Sequence, residues 1–261
     1  MIFLTLLLVV VVGVFLITPT PNRGQYRWLR QHHAHRGFHD DLYPENSAGA
    51  FQQAVELGFG IECDVRLSKD HVPIMIHDAT LNRLAKRDEA VHDLMYEELK
   101  QIPISNSTQT FTDLSTLLHL TKGQVPLMIE IKPNHQARKS VDVVYDLLAH
   151  YEGNVSVISF DPRIVKMCKN KKMKHIPVGQ LIEVHFKNRT LPFFQRVLLT
   201  MNAYQRWTQA DFISVHRDLM PFFQWMTWLK VDVGVWTIRS PHLLKKCNNH
   251  NIAVLEKEAL A

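Results

Sequence analysis

Two acidic residues separated by a single position, Glu62 and Asp64, are the first feature of this sequence that could carry chemistry. Alternate residues of an extended strand point to the same side, so both carboxylates of the segment GIECDVRL face one way. In the segment MIEIK, Glu130 and Lys132 share a strand face in the same manner. Three carboxylates on such faces are costly to bury unless a positive group joins them. A divalent cation with oxygen ligands, Mg²⁺ or Ca²⁺, would do so; pairing with Arg and Lys, or exposure on an edge strand, is the alternative.

Two histidines, His35 and His77, flank the acidic pair in the sequence. His35 follows an extended segment and precedes Arg36 and a glycine that allows a sharp turn. His77 ends the apolar run VPIMI, and a tight hairpin turn at Lys69-Asp70 would place it opposite Glu62. Imidazole titrates near neutral pH, so such a pair can serve as acid and base in phosphoryl transfer. The sequence contains 15 histidines, and we assign no role to the nearby His32, His33, His39 and His71.

A series of short motifs occurs in a fixed order along most of the chain and is densest in its first half. They read His35-Arg36-Gly37, Pro44-Glu45-Asn46, Glu62-x-Asp64-Val65, His77-Asp78, Leu81-x-Arg83, Glu130-Ile131-Lys132 and Trp236-Thr237. This ordered set resembles the glycerophosphodiester phosphodiesterase family. The resemblance implies an α/β fold of the TIM (β/α)8-like barrel type. It also implies metal-dependent hydrolysis of glycerophosphodiesters to glycerol 3-phosphate and an alcohol.

The resemblance further implies the residues of a metal centre and of an acid/base pair. The metal ligands would be Glu62, Asp64 and Glu130, holding Mg²⁺ or Ca²⁺. The catalytic pair would be His35, which takes a proton from the attacking hydroxyl, and His77, which protonates the leaving alcohol. The attacking group, either the glycerol 2-hydroxyl or water, stays open, as does which histidine is the base at a given step.

The other residues implied by the resemblance contact the substrate. Arg36 and Lys132 would bind the phosphate, and Trp236 would form an aromatic wall. One alternative is a lysophospholipase D-type lipid phosphodiesterase on the same site, with an acyl chain along the aromatic region 186–228. A second alternative is a catalytically silent, membrane-bound binding module, whose mark would be loss of a catalytic His or metal carboxylate, and none is lost. The expected partners are a small-molecule or lysolipid phosphodiester and a membrane, and no nucleic acid.

The first 17 residues, MIFLTLLLVVVVGVFLI, carry no charge. A helix of this length is at the short end of what spans a bilayer, and the basic n-region and small-residue cleavage site of a signal peptide are not seen. Arg23, Arg27 and Arg30 follow, and positively charged flanks stay on the cytoplasmic side. We therefore expect a single-pass transmembrane anchor over residues 1–18, a juxtamembrane linker over 19–28 and a cytoplasmic barrel domain over 29–261.

The composition suits one α/β domain with an appendage, since 46% of the 261 residues are hydrophobic and 21% are charged. Part of the net charge of +5 comes from the segment KMCKNKKMKH. That segment predicts either a solvated helix face or attraction to anionic lipid head groups. With only 3 cysteines, a disulfide framework is not expected, which suits a reducing compartment.

Strand and helix patterns alternate along the domain, which predicts a parallel sheet or barrel. They begin with a strand at Leu29–His35 and a helix at Ser47–Leu57, for which Asn46 is the predicted N-cap and a clamp on the active-site loop. In all they give nine candidate strands for eight places, so one is misassigned or peripheral.

The second half of the chain fits the pattern less well. Region 186–228 is rich in aromatic residues, and its helical face predicts a barrel helix or an interfacial helix at a bilayer. The family usually closes with a glycine-rich strand carrying Thr-Asp, whereas this chain reads NIAVLEKEALA. The sequence therefore leaves the closing strand, and any site residue on it, undefined.

Overall fold

The computed structural model describes residues 2–20, 25–184, 191–247 and 251–260. The strands are β1 (His33–His35), β2 (Gly60–Leu67), β3 (Pro73–Met75), β4 (Leu127–Ile131), β5 (Val155–Ser159), β6 (Val178–Ile182), β7 (Phe212–His216), β8 (Val233–Ile238) and β9 (Asn251–Leu255). The α-helices are α1 (Ile2–Ile17), α2 (Ala48–Glu56), α3 (Asn82–Ala85), α4 (Tyr96–Leu99), α5 (Leu114–Thr121), α6 (Ala137–Leu148), α7 (Pro162–Asn170), α8 (Phe193–Thr200), α9 (Gln205–Thr208), α10 (Met220–Phe223) and α11 (Pro241–Lys246).

Eight of the strands form a closed parallel barrel in the order β1-β2-β4-β5-β6-β7-β8-β9, and β9 pairs back onto β1. The remaining strand, β3, pairs antiparallel with the end of β2 and lies outside the barrel. It is the peripheral member of the nine predicted strands. The predicted TIM-like (β/α)8 barrel is therefore confirmed, and its closing strand is β9.

The alternation of side chains along the strands separates two apolar layers. Outward-facing residues such as Ile61, Cys63 and Val65 pack beneath the surrounding helices. Inward-facing residues of β4, β5, β6, β7 and β9 fill the barrel interior together with Leu29. A TIM barrel is thus a packed core with its chemistry at the carboxyl ends of the strands.

The predicted first strand, Leu29–His35, begins too early. Residues Arg27–Arg30 form a short 3₁₀ helix whose Leu29 is fully buried among the inward-facing residues, and the strand itself is only His33–His35. His33 is also fully buried, and neither of its ring nitrogens finds a hydrogen-bond partner among the described residues. Burial lowers the pKa of His33 to about 4, so this histidine stays neutral at physiological pH and serves as an apolar filler.

The predicted hairpin between β2 and β3 exists, but its register differs from the prediction. Met75 lies opposite Val65, and the turn closes through a hydrogen bond from the Ser68 amide to the Val72 carbonyl (3.0 Å). The antiparallel pairing ends at Met75, so His77 does not pair opposite Glu62. The turn is longer than the two-residue turn at Lys69-Asp70 that the prediction assumed, which shifts the register.

Helix α1 is the apolar appendage and spans 16 residues. Its last turn is held to the barrel by a hydrogen bond from Asn202 Nδ2 to the Ile17 carbonyl (2.9 Å) and by the Arg206 guanidinium, which lies 3.6 Å from the ring centroid of Phe15. At 1.5 Å per residue the helix rises about 24 Å, against a hydrocarbon core of about 30 Å. Within the described ranges, no helix combines the length and apolar character that crossing a membrane requires. The predicted transmembrane anchor over residues 1–18 is not supported.

Candidate active site

Three carboxylates meet on the neighbouring strands β2 and β4. Asp64 lies beside Glu130 in the parallel register, and Glu62 lies two residues earlier on the same face of β2. All three side chains are buried, and one oxygen atom of each lies within 4.8 Å of the others. The structure thus brings together the three residues that the sequence suggested as metal ligands.

Two cations lie against these carboxylates. Lys132 Nζ is 2.8 Å from both Asp64 Oδ1 and Glu130 Oε1. Arg36 Nε is 3.2 Å from Asp64 Oδ2, and the backbone amide of Arg36 donates a hydrogen bond to Glu62 Oε2 (3.1 Å). Three acidic groups therefore share two basic side chains in a buried space.

This imbalance shifts the pKa values of the three carboxyl groups in different directions. Burial, followed by the charges of Asp64 and Glu130, raises the pKa of Glu62 well above its usual range. Burial likewise raises the pKa of Glu130 to about 7. Asp64 is buried too, but Lys132 and then Arg36 hold the pKa of this carboxyl well below its ordinary value. The protein alone thus stabilises the negative charge of the three carboxylates only in part. A set of ligands made only of carboxylate oxygens fits Mg²⁺ or Ca²⁺.

The two candidate catalytic histidines each contact a carboxylate through Nδ1. His35 ends β1, and its Nδ1 lies 2.8 Å from Glu256 Oε1. His77 follows β3, and its Nδ1 lies 2.8 Å from Asp78 Oδ1. Both rings line the same cavity of about 360 Å³ as the three carboxylates. Since Nδ1 is engaged in each ring, Nε2 is the atom left to exchange a proton.

His77 is also affected by its surroundings. Burial, followed by the nearby charge of Lys132, lowers the pKa of His77, and the attraction of Asp64 opposes this shift. Its backbone carbonyl accepts a hydrogen bond from Arg66 Nε (2.8 Å). The position of the ring is therefore fixed from both its side chain and its backbone.

A chain of ion pairs connects His77 to Arg36. Asp78 accepts from Arg83 Nε (2.6 Å), and the two terminal nitrogens of Arg83 donate to the two oxygens of Glu45 (2.7 Å each). Glu45 in turn accepts from Arg36 Nη1 (2.7 Å). Bidentate arginine–carboxylate pairs fix geometry as well as charge. The guanidinium of Arg36 is therefore pre-oriented by residues from several of the sequence motifs.

Asn46 fastens the loop that carries Arg36. Its side chain donates to Asp64 Oδ2 (3.0 Å) and accepts from the Asp64 amide (3.2 Å), and its own amide donates to the Arg36 carbonyl (2.9 Å). Asn46 thus links the loop of Arg36 to β2, which is the position that the predicted clamp on the active-site loop requires. The predicted N-cap role is wrong, because Ser47 caps helix α2 by accepting from the Ala50 amide.

Aromatic residues form the other side of the cavity. Trp236 Nε1 donates to the Ser214 carbonyl (3.1 Å), and its ring meets Phe160 edge to face at 5.4 Å between centroids. The ring of His216 also meets the indole edge to face, at 5.1 Å between centroids. Trp236 lines the cavity, and its role as an aromatic wall for the substrate stays a prediction.

Sequence reasoning missed three groups at the site. Arg66 lines the cavity, and the spacing Glu62, Asp64, Arg66 along β2 could have revealed it. Glu256 directly follows β9, and carboxyl ends of barrel strands carry the chemistry of this fold, so its position was the available signal. His39, whose Nε2 lies 3.0 Å from Glu256 Oε2, has no local signal in the sequence.

Comparison with known proteins agrees with this geometry. The profile of the Glycerophosphoryl diester phosphodiesterase family matches residues 35–255. The chain is 34% identical over 160 residues to a glycerophosphodiester phosphodiesterase of Bacillus altitudinis, covering 57% of this chain and 64% of that protein. It is 35% identical over 133 residues to a probable glycerophosphodiester phosphodiesterase 2 of Mycobacterium tuberculosis, covering 50% and 48%. The chain therefore spans less than two thirds of the length of these curated relatives.

Solved structures share the fold at low sequence identity. A phosphodiesterase of Oleispira antarctica, in complex with the product sn-glycerol-3-phosphate, superposes with a TM-score of 0.74 at 20% identity, covering 90% of this chain and 95% of that one. A glycerophosphodiester phosphodiesterase of Thermotoga maritima gives 0.68 at 23% identity, covering 87% and 94%. The profile match extends over most of the barrel, from the end of β1 to the end of β9. The chain belongs to the glycerophosphoryl diester phosphodiesterase family.

Proposed function

We propose that this protein hydrolyses glycerophosphodiesters to glycerol 3-phosphate and an alcohol, with a divalent cation and two histidines. The observation that carries the proposal is the cavity of about 360 Å³, in which three buried carboxylates meet two carboxylate-bound histidines. Its volume is near the lower end of ligand pockets, which suits a phosphodiester head group. Family membership supports the reaction class.

The cation, Mg²⁺ or Ca²⁺, would be held by Glu62, Asp64 and Glu130. When bound, it would neutralise the charge of the phosphate oxygens. Arg36 and Lys132 add positive charge at the same point, and their ion pairs keep them oriented before substrate arrives. Preorganised charges of this kind stabilise the charge that develops in the transition state.

The two histidines move protons at opposite sides of the phosphorus. Nε2 of His35 accepts the proton of the attacking hydroxyl as its oxygen bonds to phosphorus. Nε2 of His77 gives a proton to the alcohol oxygen as the other phosphorus–oxygen bond breaks. Attack by water gives glycerol 3-phosphate directly. Attack by the glycerol 2-hydroxyl gives a cyclic phosphodiester, which water then opens to glycerol 3-phosphate: Nε2 of His77 accepts the proton of the water, and Nε2 of His35 returns its proton to the 2-oxygen.

A lysophospholipase D-type reaction is the second candidate, favoured by the exposed aromatic residues of region 186–228. Of the part of that region that the structure describes, only Ser214 lines the cavity, so an acyl chain would have to lie outside it. Phe193, Phe194 and Trp228 are instead exposed at the surface.

A substrate panel separates the two candidates. We expect kcat/KM for glycerophosphocholine to exceed that for lysophosphatidylcholine, because the cavity volume suits the head group and, among the described residues of region 186–228, only Ser214 lines the cavity. Release of glycerol 3-phosphate and choline is the measurement. Turnover of the lysophospholipid alone would select the second candidate. Binding of both compounds without turnover of either would select the silent binding module.

We further propose that the protein associates with a membrane from the cytoplasmic side. Helix α1 exposes Leu8 and Phe15, and α8 exposes Phe193 (65%) and Phe194 (61%). The lysine-bearing helix α7 packs against α9, which in turn contacts α1. Apolar and basic surfaces so arranged fit an anionic bilayer surface.

The cysteines Cys63, Cys168 and Cys247 are free thiols in the described structure, which suits a reducing compartment.

Vesicle sedimentation tests the membrane proposal. We expect the protein to pellet with vesicles containing phosphatidylserine more than with pure phosphatidylcholine. Replacing both Phe193 and Phe194 with serine should weaken this binding, because it removes exposed apolar surface from α8. Leu57→Ser is the matched control, because Leu57, just after α2, is an apolar residue of comparable exposure (55%). Equal sedimentation of the Phe193/Phe194 double variant and the wild type would contradict a role for α8.

A further inference from the structure

Glu256 lies at the seam where the barrel closes. It directly follows β9, which pairs with β1 through His33 and Ala34, so its side chain reaches the end of β1. Its two oxygens are both engaged: Oε1 lies 2.8 Å from His35 Nδ1, and Oε2 lies 3.0 Å from His39 Nε2. This carboxylate is absent from the sequence motifs and contacts none of the three candidate metal ligands by a described hydrogen bond or ion pair.

These contacts determine which atoms carry protons. An ionised carboxylate only accepts hydrogen bonds, so both facing nitrogens must be N–H donors. The hydrogen bonds from His35 and His39 outweigh burial and hold the pKa of Glu256 well below its ordinary value, so it stays ionised. His35 is therefore held with its proton on Nδ1, which leaves the lone pair on Nε2.

We propose that Glu256 is the positioning residue of His35: it selects the Nδ1–H tautomer, orients the ring and stabilises the imidazolium formed when Nε2 accepts a proton. Glu256 itself takes up no proton. His39 holds the second carboxylate oxygen and so fixes the rotamer of Glu256. The proposal rests on the proposed function, in which His35 is a proton acceptor.

A purely structural role for Glu256 is the competing interpretation. The backbone already ties this residue to β8, because the Glu256 amide donates to the Ile238 carbonyl (2.8 Å). The next residue, Lys257, ties the same segment to Asp40 through an ion pair of 3.3 Å. Lys257→Gln therefore removes an ion pair between the segment after β9 and the segment after β1, and it leaves the contact with His35 in place. It is the matched control.

Kinetics of single and double variants test the proposal. Glu256→Gln is expected to lower kcat on glycerophosphocholine by about 10²-fold with little change in KM, since acid–base catalysis is worth about 10² to 10⁴ in rate. Glu256→Asp, which keeps the charge, should recover part of the loss, and Lys257→Gln should match the wild type. In a His35→Ala background, Glu256→Gln should cost nothing further, because its effect passes through His35. Additive losses would overturn the proposal.

Proton NMR gives a readout that does not depend on turnover. The wild type should show a downfield Nδ1–H resonance that disappears in His35→Ala, which assigns it. It should be lost in Glu256→Gln and retained in Lys257→Gln, with thermal unfolding confirming that each variant is folded. An unchanged resonance in folded Glu256→Gln would overturn the pairing. A responsive resonance in a wild type that hydrolyses no phosphodiester would support the pairing and overturn the proposed function.

Discussion

Replacement of Glu62 by glutamine is expected to lower kcat/KM for glycerophosphocholine by at least about 10²-fold, because it removes a carboxylate that would hold the cation proposed to neutralise the phosphate oxygens. The substitution keeps the size of the side chain but removes one negative charge. The remaining pair, Asp64 and Glu130, would then be balanced by Arg36 and Lys132 without a divalent cation. Calorimetric titration with Mg²⁺ or Ca²⁺ should show weaker binding than in the wild type.

The control for this experiment is Glu56→Gln, on the exposed surface of α2, where the side chain accepts a hydrogen bond from Gln52. It should bind metal and substrate as the wild type does. Treatment of the wild type with excess chelator should reproduce the Glu62→Gln loss, and added metal should restore activity. Full activity in chelator, with elemental analysis finding no metal, would rule out a metal centre.

The second large effect concerns His35 and His77, which the proposed mechanism needs in opposite protonation states in one turnover. The profile of kcat/KM against pH should therefore be bell-shaped. His77→Ala should lose less activity on a nitrophenyl phosphodiester than on glycerophosphocholine, because an acidic leaving group departs without a proton. His35→Ala should lose activity on both substrates alike.

The expected difference is large enough to measure, since general acid–base catalysis contributes about 10² to 10⁴ in rate. His92→Ala is a suitable control and should behave as the wild type, because His92 is an exposed histidine that lies 3.7 Å from a carboxylate oxygen of the exposed Asp93. Equal losses by His35→Ala and His77→Ala on both substrates would show that the division of roles is wrong. That result would leave the metal centre untouched.

The sequence could predict the acidic part of the site because it is built from local alternation. Glu62 and Asp64 share a face of β2 by spacing alone, and Glu130 follows from the same rule in β4. The position of Trp236 came from motif resemblance. The placement of the carboxylates on their strand faces depends on residues a few positions apart, which is the range in which strand periodicity carries information.

The features that the sequence did not predict depend on contacts that no strand pattern reports. The start of β1 could not be placed because His33 is a polar residue that the barrel buries, and its burial is set by strands far away in the sequence. The hairpin register depended on a turn stabilised by Ser68 rather than on strand pattern. Glu256 was missed because its partner His35 is 221 positions away, and no local pattern reports such a pairing.

The seam between β1 and β9 also bears on how the protein is made. It consists of two residue pairs, His33 with Val254 and Ala34 with Leu255. A growing chain emerges from the ribosome with both candidate catalytic histidines and all three carboxylates long before β9 is translated. Until then β1 has a free edge, and the carboxylate that engages His35 does not yet exist. A chain that terminates before β9 therefore lacks the carboxylate that engages His35, so the proposed phosphodiester hydrolysis would begin only after synthesis has passed the last strand.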